Sequence, residues 1–254
     1  MKKYLKIKYI PVFVLLLVFA AGLPSGAMHI MEGFLQPVYC IAWGVVCVPF
    51  IVLGIRSIKK IIDRDRKTIM LIAMCAAFAF VLSSFKIPSV TGSCSHPTGV
   101  GLGAIFFGPM ATSVFGLIVL LFQAILLAHG GITTLGANVF SMAIAGPIVS
   151  YAVFRLVKKL NGNAYVGVFL AAALGDLVTY CVTSIQLGIA YPSGGFLAAT
   201  AKFLAVFAVT QIPLAIAEGI VTVLIYNLVV KYGKEEIKSL DVIYGKKSDK
   251  QGES

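Results

Sequence analysis

Gly99-Val-Gly-Leu-Gly-Ala-Ile-Phe-Phe-Gly-Pro-Met110 decides how this chain is folded. The part Val100–Gly108 is apolar but about half-length, because a membrane-crossing helix needs about 20 mostly apolar residues. Pro109 separates it from the full-length apolar run Met110–Ala128. Around this piece lie runs that do reach the required length: Val38–Ser57, Ile69–Phe85, Thr134–Leu156, Tyr165–Ala190 and Leu197–Val230. Whether the chain threads the membrane an odd or an even number of times therefore depends on Val100–Ala128.

Charge resolves the parity. Lys and Arg collect on the cytoplasmic side of membrane proteins. Arg56, Lys59, Lys60, Arg64, Arg66 and Lys67 follow the first run, so that loop is expected inside and Met28 outside. The second run then exits, which puts Ile87–Pro97 outside. Arg155, Lys158 and Lys159, and later the tail from Lys231 to Lys250, belong inside again. Both hold only if Val100–Ala128 crosses an even number of times, as a short span plus a full one or as a re-entrant pair. The expected fold is an all-α polytopic membrane helix bundle of about seven transmembrane segments, the third short and interrupted. Broken helices are tolerated in membranes where protein buries them or where they line a cavity. Gly99, Gly101, Gly103 and Gly108 suit such a site, and equally suit plain helix packing.

Composition excludes the soluble classes. Of 254 residues, 59% are hydrophobic and 12% charged, against about a quarter charged in a soluble globule, and the mean hydropathy is +0.96. The net charge of +11 is no nucleic-acid footprint, because the basic residues sit in short clusters between apolar runs. The 5 cysteines, Cys40, Cys47, Cys75, Cys94 and Cys181, show no CxxC spacing, and four of them lie in apolar stretches. They are expected to pack as small hydrophobes. No Walker A motif, GxSxG elbow or HExxH is present. No internal repeat or second domain is evident, so 28–254 reads as one integral-membrane substrate-binding domain with 233–254 a charged cytoplasmic tail.

The N-terminus has its own signature. Lys2, Lys3, Lys6 and Lys8 precede the apolar stretch Ile10–Leu23, Pro24 breaks it, and Ser25 and Ala27 are small. This pattern is a secretory signal peptide, residues 1–27, cleaved after Ala27. The mature chain then begins Met28-His29. Its α-amine, the amide nitrogen of His29 and the His29 imidazole can close two fused chelate rings on one divalent cation. His96, in Thr91-Gly-Ser-Cys-Ser-His-Pro-Thr-Gly99, falls on the same outer face. A site of the Met28 amine, the His29 amide and imidazole, and the His96 imidazole offers four nitrogens. Such a set suits a square-planar or tetragonal ion and favours nickel, copper or cobalt over magnesium or calcium, whereas zinc prefers a tetrahedron. Binding should release protons, since every ligand must be unprotonated.

The other polar residues are less decided. Cys94 is a soft-ligand alternative, with packing favoured. His129, in Ala128-His-Gly-Gly-Ile-Thr-Thr134, is expected to bond backbone, or else to stand behind the metal ligands. Asp176 and Glu218 lie inside apolar runs, where charge is expensive and usually functional. Each is roughly 18–20 Å from the cytoplasmic end of its helix at 1.5 Å per residue. They could share a proton, pack, or communicate with a partner on the inner side.

Three stretches carry a family resemblance: Met28-His-Ile-Met-Glu-Gly-Phe-Leu35, Gly92-Ser-Cys-Ser-His-Pro-Thr-Gly-Val-Gly-Leu-Gly103 and Ala128-His-Gly-Gly-Ile-Thr-Thr-Leu-Gly-Ala-Asn138. The chain resembles the CbiM/NikM family, the metal-binding S components of energy-coupling-factor transporters, over essentially its whole mature length. The resemblance implies that the free N-terminus folds back into a helical bundle and that Met28, His29 and His96 hold the ion. It implies a CbiQ-like transmembrane coupling protein, a CbiO-like ATPase and a CbiN-like small membrane subunit in a prokaryotic plasma membrane. The transported ligand would be Co²⁺, with no cofactor and no enzymatic activity on this chain, ATP hydrolysis residing on the separate subunit. The short tail without a further span leans toward cobalt, for cobalamin synthesis; a nickel-specific component of the same class is the alternative. From other classes, a proton-coupled secondary transporter would use Asp176 and Glu218, and a membrane metalloenzyme would need Glu32 as its base.

Overall fold

The computed structural model describes residues 29–85, 87–88, 94–233, 236–237 and 240. The expected signal peptide 1–27, Met28, the tail from 241 onward and the side chain of Cys94 lie outside the described residues. Helices dominate: α1 (Pro37–Arg64), α2 (Thr68–Ser84), α3 (Val100–Leu127), α4 (Leu135–Lys159), α5 (Ala164–Ala190) and α6 (Phe196–Tyr232). Five of them are long and apolar enough to cross a membrane, and α2 is a shorter apolar helix. Between α2 and α3 a minimal antiparallel pair, β1 (Ile87–Pro88) and β2 (Cys94–Ser95), sets Ile87 opposite Ser95.

Helix boundaries follow local chemistry. Pro37 opens α1 at its first turn, where a missing N–H is harmless. Asn163 caps α5 by accepting from the Tyr165 amide at 2.8 Å. Within α4, Val139–Ala145 winds as a π-helix, a geometry that re-aims side chains and recurs at functional sites.

The stretch Val100–Leu127 is helical on both sides of Gly108, whose φ of 79° and ψ of 167° are not. A straight helix would separate Gly103 from Phe115 by about 18 Å. Instead, the Phe115 ring stands where a methyl group on Gly103 would fall. The two ends agree: Gly99 abuts Ala79 and Leu82 near the end of α2, and Gln123 bonds Ser83 there. The chain therefore enters as a short arm up to Phe107, turns at Gly108 and returns as a long arm. Both ends of α3 lie at the same end of the bundle.

The core explains where the turn points. Phe106 of the short arm stacks on Tyr226 of α6 at 5.5 Å, and Phe154 of α4 meets the same tyrosine at 6.5 Å. Leu71 and Cys75 of α2 join this cluster. The C-terminal turns of α1, α4 and α6 carry Arg64, Lys158, Lys159 and Lys231, so the turn at Gly108 is directed toward a basic end.

Small residues let the helices approach. Gly101 packs on the Cα of Ala172, Gly116 on Ala143, and Gly175 on Ser150, the interface chemistry of membrane bundles. Outside, α6 shows Ile212, Ile216, Ile220, Leu224 and Leu228 exposed at a spacing of four. Its opposite face buries Gln211, Glu218, Thr222 and Tyr226. Apolar outside and polar within is the inverse of a soluble helix, and it suits a lipid surround.

Candidate metal centre

At the end opposite the basic cluster, three imidazoles meet. His29, His96 and His129 have ring centroids 4.6 to 4.7 Å apart, each pair edge-to-face. One ring nitrogen from each lies within 4.8 Å of the others. Their exposures are 7%, 1% and 1%, so the cluster sits inside the bundle and not on its surface. The sequence joins His29 and His96; the structure adds His129 to them.

Each histidine is delivered by a different device. His29 precedes a segment locked onto the first turn of α4. The Ile30 amide donates to Asn138 Oδ1 at 3.0 Å, and the Ile30 carbonyl accepts from Asn138 Nδ2 at 3.1 Å and Thr134 Oγ1 at 2.6 Å. Glu32 strengthens the lock, accepting from the Ile132 amide at 2.5 Å, the Thr133 amide at 3.2 Å and the Thr133 hydroxyl. The Thr133 bonds, side chain first and then backbone, hold the Glu32 carboxyl below its usual range, with the Ile132 amide adding to them and slight burial opposing. A depressed carboxylate contributes stability above its unfolded pKa and loses it only as pH falls through the lower folded value. Glu32 is thus committed to the chain itself. His129 follows Ala128, whose φ of 46° turns the chain out of α3, and its amide donates to the Gln123 carbonyl at 3.1 Å.

His96 sits on the loop entering α3. Its carbonyl accepts from the Tyr180 hydroxyl of α5 at 2.7 Å. Its Nδ1 lies 3.0 Å from the Pro97 carbonyl; since a carbonyl only accepts, Nδ1 carries the proton and the lone pair is on Nε2.

A relay of bonds fixes His29 in the same way. The Ser83 hydroxyl donates to the Ala79 carbonyl, so its oxygen accepts from Gln123 Nε2. That turns Gln123 Oε1 toward His29, where it lies 3.2 Å from Nε2. The imidazole must donate there, which leaves its lone pair on Nδ1. Nδ1 is the nitrogen that can close a six-membered chelate ring with the residue's own amide nitrogen.

The two acids, Glu218 and Asp176, stand side by side next to the His96 loop. Glu218 is fully buried and binds the residues just after His96: the Thr98 amide at 2.6 Å, the Gly99 amide at 2.9 Å and the Thr98 hydroxyl at 3.0 Å. Asp176, also fully buried, lies beside it. Gln123 and Asn138 are the residues that sequence inspection passes over. Their signal is present, since each is an amide within an apolar run, where polar groups face the bundle interior.

A lipid-clad helical bundle with a buried cluster of imidazoles defines a class: the membrane component of a transport system that recognises a transition-metal ion. The chain matches the family described as "Cobalt uptake substrate-specific transmembrane region" over residues 29–236, and it belongs to that family, CbiM. It is 59% identical over 222 residues to "Cobalt transport protein CbiM" of Ruminiclostridium cellulolyticum, covering 87% of this chain and 90% of that one. It is likewise 59% identical over 225 residues to the protein of the same name from Clostridioides difficile, covering 88% and 90%. A solved structure, "Crystal Structure of an transition metal transporter", superposes with a TM-score of 0.71 at 29% identity, covering 84% of this chain and 96% of that one. The protein is therefore the substrate-specific component of a cobalt uptake system, a transporter subunit and not an enzyme.

Proposed function

We propose that this chain captures Co²⁺ at the non-cytoplasmic face of a prokaryotic plasma membrane and presents it to an ATP-driven energy-coupling-factor importer. Removal of residues 1–27 frees the Met28 amine. That amine, the His29 amide nitrogen, His29 Nδ1 and His96 Nε2 form a planar four-nitrogen site, with His129 packed edge-on against both rings. The carrying observation is the Ser83–Gln123–His29 relay, which leaves Nδ1 as the acceptor nitrogen of His29. A planar set of this kind accepts Ni²⁺ as well as Co²⁺, so cobalt rests on the family and not on the nitrogens.

Seven crossings follow if the two arms of α3 are counted separately, with the histidine end outside and the basic end cytoplasmic. The chain has no nucleotide motif, and we assign energy supply to a CbiO-like ATPase, coupling to a CbiQ-like membrane protein, and an accessory role to a CbiN-like subunit. A proton-coupled secondary transporter is disfavoured because Glu218 is held by three donors. A metalloenzyme is disfavoured because Glu32 is occupied by Ile132 and Thr133.

One observation favours a second ligand set: the three imidazole nitrogens lie within 4.8 Å of one another, which suits a His29, His96 and His129 tripod. Co²⁺ titration of the purified, processed protein separates them. The planar set predicts that His29→Ala and His96→Ala abolish binding while His129→Ala weakens it less, with a spectrum unlike tetrahedral cobalt. Equal loss in all three, with an intense tetrahedral band in the parent, would establish the tripod. In cells, Co²⁺ accumulation should stop when the ATPase subunit is inactivated; accumulation that persists and instead yields to a proton uncoupler would restore the secondary-transporter reading.

A further inference from the structure

We infer that Glu218 is a positioning residue for the metal: its carboxylate holds the His96 loop in register, with Asp176 donating a proton to it. This rests on His96 being a ligand. The loop His96–Gly99 has little else to fix it. Pro97 lacks an N–H, and the amides of Thr98 and Gly99 are donors at the start of α3 that the helix itself cannot satisfy. The N-cap residue itself, Gly99, has no side chain to cap that end. Glu218 of α6 supplies the missing acceptors, one oxygen to each amide, at 2.6 and 2.9 Å, and a further bond from the Thr98 hydroxyl at 3.0 Å. A carboxylate at a helix N-terminus also meets the positive end of the helix dipole.

The clamp works on a loop with little slack. Gly99 has φ 69°, and a methyl group there would come within 2.7 Å of the Ala79 Cα. The loop is thus pressed against α2 while Glu218 draws it toward α6. Between them, His96 is tied to α5 through Tyr180. A shift at Thr98 is transmitted to His96 across a single residue, Pro97.

Asp176 completes the arrangement. It lies on α5 one turn before Tyr180, wholly buried beside Glu218. Among the described residues no donor bonds its oxygens in good geometry; Glu218 and the Thr98 amide are the polar groups that face it. Two carboxyl groups together in a dry interior do not both carry charge. Glu218, with three donors, keeps the negative charge; Asp176 holds the proton and gives it to Glu218 as a hydrogen bond. That bond uses one of the two Asp176 oxygens and leaves the other a neutral carbonyl, which is cheaper to bury than a charge.

The test uses the full, processed chain in detergent, titrated with Co²⁺ and followed by visible absorption, with the metal-free melting temperature measured in parallel. Glu218→Gln keeps the size but turns an NH₂ toward an amide donor. It should weaken Co²⁺ binding at least tenfold and alter the cobalt spectrum, in line with the loss of a group that orients a ligand. Asp176→Asn retains a donor and should bind within about threefold of the parent, whereas Asp176→Ala should fall well below it. Thr98→Val removes only the hydroxyl bond and should cost about three- to tenfold in affinity; it carries the test if Glu218→Gln does not fold. A lower melting temperature with unchanged affinity and spectrum would reduce Glu218 to a structural role and overturn the inference. Asp176→Asn as damaging as Asp176→Ala would overturn the proton assignment. His96→Ala keeps the two failures apart. Lost binding there with an unaffected Glu218→Gln refutes the clamp alone, and normal binding in His96→Ala refutes the ligand reading.

Discussion

Gln123 shows how one amide can select which nitrogen of a buried histidine keeps its lone pair. It is fully buried, and its two ends have different partners, Ser83 and His29. Gln123→Leu keeps the volume and removes both bonds, so His29 loses the acceptor that fixes its tautomer. Outer partners of metal-bound histidines contribute 10–100-fold in affinity. Gln123→Leu should therefore weaken Co²⁺ binding by about that factor in titration; an unchanged dissociation constant would mean that the His29 ring is oriented by something else. At this scale the sequence exposed His29 and His96, because histidine is rare here and topology set both on one face. It undervalued His129, whose glycine- and threonine-rich surroundings also describe an ordinary turn. It passed over Gln123 and Asn138, because an uncharged amide in an apolar run stands out far less than Asp176 or Glu218. The grip of Glu218 on Thr98 and Gly99 spans about 120 residues of sequence, and no local pattern announces it.

Among the elements, the folded-back α3 places the His96 loop inside the bundle. Its short arm starts beside Leu82 and its long arm returns to Ser83, so His96 and His129, at its two ends, meet. That meeting needs the turn at Gly108, whose φ of 79° and ψ of 167° lie in a region open essentially to glycine alone. No atom lies within 4 Å of where a Cβ would stand, so Gly108→Ala adds backbone strain without a clash. The substitution should destabilise the protein by about 1–3 kcal/mol, read as a lower melting temperature. An unchanged melting temperature would show that the turn relaxes without cost. Charge parity made an even number of passes legible in the sequence, and Pro109 marked the break. A short span plus a full one and a re-entrant pair satisfy parity equally, and in both the arms fold back on each other as Gly103 does on Phe115. The π-helix in α4, Val139–Ala145, had no signal in hydropathy or charge.

Taken whole, the described residues form a bundle of helices apolar on the outside, with imidazoles at one end and Lys and Arg at the other. Composition and hydropathy disclosed this class directly, because lipid imposes long apolar helices that few soluble folds share. The end of the bundle that we propose holds metal was legible through the join between Ala27 and Met28, where processing would create a new amine, and through His29 and His96 falling on one face. In our account the N-terminus is itself a ligand at fixed register with the His96 loop. The most direct measurement inserts one alanine between Ala27 and Met28, confirms by N-terminal sequencing that the mature chain begins Ala-Met-His, and follows Co²⁺ uptake in cells together with metal content of the purified protein. The amine and the His29 ring would then be separated by two amides instead of one, and the three-residue end could fill a planar site without His96. The account predicts that uptake is abolished even where some metal remains bound. Uptake at the parental rate would contradict it, showing that the amine holds no fixed place in the site.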